Sequence, residues 1–228
     1  MEQFDMLHPP SLGTCPGLGQ CFFQAHRNFP EGGNIMEFGV GGGYSFSWMA
    51  WWLQNQCNSS TLTGFDGWQG LPAETKDIWI PPEHKEGNYL HLKSYVYDKC
   101  EALGVKLSNH SQLFLVDGMY KDTLTLAYQK FWKAITKPLI LVNMDVDLHS
   151  SAVTVLEFIL PLLQVGTMIY TDDWFFPQFG KRTPDCGVSL AFNEWWDCHP
   201  GLKMEQVWEC PTSQRYFEVT EIPESFLL

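Results

Sequence analysis

The stretch "PLILVNMDVDLHSSAVTVLEFILPLLQVGTMIYTDD", residues 138–173, decides the fold. Leu139 to Met144 is a nearly unbroken apolar run, which suits a strand covered on both faces. Ser150 and Ser151 can cap a helix over 150–163. A second strand, "TMIYTDD" (167–173), follows. Strand, helix, strand is a βαβ unit with its strands parallel. Both strands run into acid: Asp145 and Asp147 end one, Asp172 and Asp173 the other, and His149 stands just beyond.

Three more strand-like runs lie upstream: "NIMEFGV" (34–40), "STLTGFD" (60–66) and "SQLFLVD" (111–117). Helical patterns over 45–56, 88–104 and 121–135 separate them. In the second of these, Tyr89, Leu92, Val96 and Leu103 fall near a 3.6-residue period, and Gly104 is a stop signal. Downstream, "EQVWECP" and "QRYFEVTEI" are separated only by "TS", an antiparallel hairpin. The expected architecture is α/β, a five-strand parallel core with a C-terminal hairpin. It forms a single domain over 1–228, with an extension at 1–33 and a core at 34–220. Leu71 to Gly87, with Pro72, Pro81 and Pro82, is expected as an irregular loop over one edge.

The 228 residues carry a net charge of −12, which removes the electrostatic basis for binding nucleic acid or an anionic membrane. Seven cysteines with no CxxC fit free thiols in a reducing compartment better than a disulfide framework or a thiolate zinc site. With no signal-like N-terminus and no long apolar run, the expected location is cytoplasmic.

In open α/β sheets, ligands bind at the carboxyl ends of the strands. The first strand enters "EFGVGGGYS" (37–45), whose glycines let backbone approach a ligand at the following helix N-terminus. Gly39-x-Gly41-x-x-Tyr44 lacks the third glycine of the dinucleotide fingerprint, and Glu37 disfavours an anionic ligand. Asp66, ending the second strand, can accept hydrogen bonds from a ribose. S-adenosylmethionine meets these demands: it has a ribose, no phosphate and a positive sulfonium. On the other side, four carboxylates at two neighbouring strand ends repel unless a cation joins them. All-oxygen ligation suits Mg²⁺, with Mn²⁺ or Ca²⁺ as alternatives. Such an ion would lower the pKa of an acceptor hydroxyl, with Asp147 or His149 as the base.

At "MEFGVGGGYS", "GFDGWQGLPAE", "VDGMYKDTL" and "VNMDVDLHSSAVTVLEFILPLLQVGTMIYTDDW" the chain resembles the macrocin O-methyltransferase-like family of class I S-adenosylmethionine-dependent methyltransferases. The resemblance implies a Rossmann-like, mostly parallel seven-stranded sheet and Mg²⁺-assisted methylation of a hydroxyl on a sugar or natural product. It implies that Glu37, Gly39, Gly41 and Ser45 line the methionine and ribose side of the cofactor. Asp66 would bind the ribose, Trp68 would lie near the adenine, and Val116 to Gly118, including Asp117, would flank it. Asp145, Asp172 and Asp173 would be metal ligands, Asp145 also bordering the cofactor, and Asp147 a ligand or the base. The family often has tyrosine where His149 stands, and its longer N-terminal region helps form oligomers, so homo-oligomerisation stays open here.

Two rival readings remain. Some glycosyltransferases use a DxD motif to hold a metal and a nucleotide sugar; Glu37 and the Asp172–Asp173 pair count against that. A non-catalytic binding module is countered by the intact glycines, Asp66 and all four carboxylates. Trp174, Phe175, Phe176, Trp195 and Trp196 are candidates for stacking on an acceptor, with core packing favoured for the last two.

Overall fold

Seven strands form one sheet in the order β3-β2-β1-β4-β5-β7-β6. The computed structural model describes residues 16–56, 59–107, 110–174, 186–209 and 213–226. The strands are β1 (Asn34–Phe38), β2 (Thr61–Asp66), β3 (Leu113–Asp117), β4 (Leu139–Met144), β5 (Met168–Thr171), β6 (Lys203–Glu209) and β7 (Arg215–Glu221). The first five are parallel, and β7 runs antiparallel to both β5 and β6. This is the mostly parallel seven-stranded sheet with a terminal hairpin expected from the sequence. Part of the expected "TS" turn lies outside the described residues.

Seven α-helices accompany the described strands: α1 (Pro16–Asn28), α2 (Tyr44–Gln56), α3 (Ser94–Ala102), α4 (Tyr120–Thr123), α5 (Leu126–Ala134), α6 (His149–Ile159) and α7 (Gly187–Asp197). Every residue of β4 is buried. Leu139, Val142 and Met144 join the core with α6 and α7, while Ile140 and Leu141 join the core with α1 and α2. Burying a branched aliphatic side chain contributes about 1.5–3 kcal/mol. A run of them anchors the strand against the cost of the acids at its tip. No helix among the described residues is long and apolar enough to cross a membrane.

Three expectations need correction, and the 1–33 extension gains a helix. The 88–104 helix starts only at Ser94, because Tyr89 adopts a left-handed φ of 56° that a helix cannot contain. The 121–135 helix is two pieces, α4 and α5, broken at Leu124–Thr125, where Thr125 caps the second piece. The 1–33 extension contains α1, whose Leu18, Cys21, Phe22 and Ala25 are buried in the core. The 71–87 loop does not lie over an edge; it covers the carboxyl ends of the strands, where its residues line the main cavity.

Candidate active site

The order change between β1 and β4 opens a crevice at the carboxyl ends of the strands. A cavity of about 1140 Å³ occupies it, slightly above the usual range of small-molecule sites. Gly39, Gly41, Ser45 and Asp66 line one side; Asp145, Asp147, Asp172 and Asp173 line the other.

The cofactor side is held by donors. Gly39 has φ +87°, and a Cβ there would overlap the backbone carbonyl of Asp145, so only glycine lets the turn pass β4. Asp66 accepts from Gly41 N–H at 2.8 Å and from Trp68 N–H at 2.7 Å, one bond to each oxygen. Each oxygen keeps a second lone pair for a diol. Glu37 is fully buried beneath the turn, behind the cavity wall. Its Oε1 accepts from Ser45 Oγ and from Asn143 Nδ2, while Oε2 is unmet. Burial pushes its pKa up to about 8, against the two hydrogen bonds that lower it. Gly118 N–H donates to the Asp66 carbonyl. Trp68 Nε1 donates to Asp117, which Lys93 also pairs with at 2.6 Å. Trp68, Asp117 and Gly118 therefore join one rim structure just outside the cavity lining.

The acidic side is the opposite case. Asp145 N–H donates to Phe38 carbonyl and Asp172 N–H to Met144 carbonyl, which brings the two strand ends together. One carboxylate oxygen from each of Asp145, Asp172 and Asp173 lies within 4.8 Å of the others. Oxygens around one octahedral Mg²⁺ stand about 3 Å apart when adjacent and about 4.2 Å when opposite. The donor set and its spacing fit a hard divalent cation. Burial, then Asp172 and Asp147, push the Asp145 carboxyl well above the usual carboxylate range. Burial, then Asp147, do the same to Asp173. Without a cation, that shift favours protonation of Asp145 and Asp173.

Asp147 and His149 part company. Asp147 has a left-handed φ of 59° and stands with Asp173 and His84. His149 Nε2 lies 2.7 Å from Glu194 Oε2 on α7. Lys76 Nζ lies 3.2 Å from the same nitrogen and 2.6 Å from that carboxylate oxygen. One ring nitrogen cannot serve both; Nε2–H donating to Glu194 satisfies all three groups and leaves Nδ1 as the basic nitrogen.

The covering loop supplies residues the sequence did not single out. Glu74 accepts from Ser150 N–H and so caps α6, whose own N-cap Leu148 offers no side-chain acceptor. Burial alone would raise its carboxyl, but hydrogen bonds from Lys76, Ser150 and Thr75 together hold it below the usual range. Lys76 and His84 of this loop also face the site, as does Tyr89 just beyond it. Their one sequence signal was a proline-bounded loop after a strand ending in Asp66. Trp174, Trp195 and Trp196 pack in the core around Phe192 and Phe217, not on an acceptor face. Phe175 and Phe176 lie outside the described residues.

Known structures share this fold. CalS11, a calicheamicin methyltransferase also described as a TDP-rhamnose 3'-O-methyltransferase, superposes with a TM-score of 0.67 at 21% identity, over 88% of this chain and 76% of its own. The O-methyltransferase NovP gives 0.66 at 18% identity, over 90% and 79%. An O-methyltransferase from Bacillus cereus, in complex with SAH, gives 0.55 at 16%, over 93% and 84%. At these identities the likeness is one of fold. The comparison with curated protein sequences gave no match. The methyltransferase domain family matches residues 36–174, from β1 through β5 and across both sides of the cavity. The chain therefore belongs to that methyltransferase domain family.

Proposed function

We propose that this chain is an S-adenosylmethionine-dependent O-methyltransferase acting on a hydroxyl of a small molecule, a sugar or natural product, with Mg²⁺ or another divalent cation. Within its family it fits the macrocin O-methyltransferase-like group. The observation that carries the reading is the convergence of Asp145, Asp172 and Asp173 in the same cavity as the glycine turn and Asp66. The description of CalS11 as a sugar O-methyltransferase supports the acceptor class.

When bound, the cofactor supplies an electrophilic methyl group, and the cation supplies the field that acidifies the acceptor hydroxyl. The chain does the rest. Asp66 and the Gly39–Gly43 turn hold the nucleoside, and Asp145, Asp172 and Asp173 hold the cation. His149, fixed by Glu194, takes the hydroxyl proton at Nδ1, and orienting oxygen against methyl carries much of the rate. The loop bearing Glu74 and Lys76 excludes water. The acidic chain and its unbridged thiols, among them Cys21, Cys100 and Cys198, fit a cytoplasmic enzyme.

Calorimetry with S-adenosylhomocysteine, with Mg²⁺ and with a nucleoside diphosphate tests this directly. Binding of the first two, followed by label transfer from the methyl donor to a hydroxylated metabolite, is the expected result. Binding of the diphosphate alone would favour the glycosyltransferase reading. Cofactor binding without any turnover across a broad acceptor panel would favour a binding module.

A further inference from the structure

His84 belongs to the 3-10 turn Pro82–His84 of the covering loop, far from the sheet in sequence. Yet it is 97% buried, an unusual place for an imidazole unless something holds it. Its Nε2 lies 3.5 Å from Asp147 Oδ1. One ligand atom from each of His84, Asp147 and Asp173 falls within 4.8 Å of the others. Asp173 thus belongs to two ligand sets at once: Asp145–Asp172–Asp173 and His84–Asp147–Asp173.

Charge leaves room for a second ion when the carboxyls are ionised. Asp145, Asp147, Asp172 and Asp173 carry four negative charges when ionised, and one divalent cation offsets two of them. A second divalent ion closes the balance. The two sets also differ in chemistry. The first is all oxygen, which suits Mg²⁺; the second includes an imidazole, which suits a first-row transition ion such as Mn²⁺. Paired ions with a shared carboxylate stand about 3.5–4 Å apart in other enzymes.

We infer that His84, Asp147 and Asp173 form a second cation position that takes a transition-row divalent ion, bridged by Asp173 to the position formed with Asp145 and Asp172. This rests on the proposed cation-assisted reading and extends it. Because His84 comes from the cover, an ion in this position would also tie the cover to the site.

The test uses the full chain stripped of metal and titrated with MnCl₂. Mn²⁺ is counted by calorimetry and by electron paramagnetic resonance. Two ions per chain are expected, with ¹⁴N coupling from an imidazole in the spin-echo modulation of the wild type. His84→Gln should lose that coupling and one ion, or weaken it by at least about tenfold. It should still bind S-adenosylhomocysteine and one Mn²⁺. His149→Gln should keep the nitrogen coupling, which assigns the signal to His84. The wild-type spectrum carries the test even if a variant folds poorly. One Mn²⁺ per chain without nitrogen coupling would overturn the second position and leave the Asp145–Asp172–Asp173 site standing. No Mn²⁺ at all would overturn both.

Discussion

The two sides of the cavity treat their carboxylates differently. At the ends of β1 and β2, Asp66 is matched oxygen by oxygen with backbone N–H groups. At the ends of β4 and β5, four carboxylates face one another, and burial with mutual repulsion drives Asp145 and Asp173 toward protonation. The first side is finished without a ligand. The second leaves its like charges facing one another. Glu37 stands between them, one oxygen bonded and one bare. The general lesson is that a site can be preorganised for a neutral or hydroxyl-rich ligand by donors of its own. A site for a cation must instead carry unresolved charge, at some expense to the folded state.

The sharpest way to break this contrast is Asp145→Asn. Cation binding and methyl transfer should both collapse, the rate by several kcal/mol of barrier, on the order of 1000-fold. Thermal unfolding of the metal-free variant should nonetheless rise above that of the wild type, because a buried like-charge contact is gone. A lower melting temperature would mean that the acids are not in conflict. Gly39→Ala attacks the seam where the two sides touch. Its Cβ meets backbone that cannot swing away, at a φ alanine disfavours. A stability loss of about 3 kcal/mol is expected by urea unfolding; a loss under 1 kcal/mol would show the seam to be loose.

Glu37 gives a pH signature. Its folded pKa of about 8 lies above its ordinary value of 4.5, so the folded state holds the proton longer than the unfolded chain. Its contribution is fully present below pH 4.5 and is lost as pH rises to about 8. The maximum slope is about 1.4 kcal/mol per pH unit. Glu37→Gln should flatten the stability profile of the wild type in that window. Parallel profiles for the two proteins would remove the buried-acid assignment.

How much of this was legible in the sequence follows from which interactions are local. Leu139–Met144 and the acids after it are contiguous, so strand, strand end and the Asp145–Asp172–Asp173 cluster could all be read. Gly104 stopped its helix as expected, with φ +74°. By contrast, α1 was hidden by Pro16 and two glycines, although Leu18, Cys21, Phe22 and Ala25 keep a helical spacing and proline is at home in a first turn. The missed α7 carries the same kind of spacing in Val188, Ala191, Phe192 and Trp195. The covering loop was illegible for another reason. Lys76 finds Glu194 118 residues away, and neither residue belongs to a motif. Prolines announce that such a segment is irregular but not which face it covers.

Asp66 yields the smallest of these effects and the most useful one for the contrast. It carries two jobs with one carboxylate: it ties the glycine turn to the Trp68 turn, and it offers its remaining lone pairs to a ligand. Asp66→Asn keeps one oxygen and replaces the other with a donor, which then opposes a backbone N–H. Loss of about 1–3 kcal/mol in affinity for S-adenosylhomocysteine is expected by calorimetry. The apo protein should lose stability as well, opposite in sign to Asp145→Asn. Two carboxylates, one on each side of the same cavity, would then move stability in opposite directions when neutralised. If Asp66→Asn stabilised the protein, its hydrogen bonds would not outweigh its desolvation, and the two sides would share one design after all.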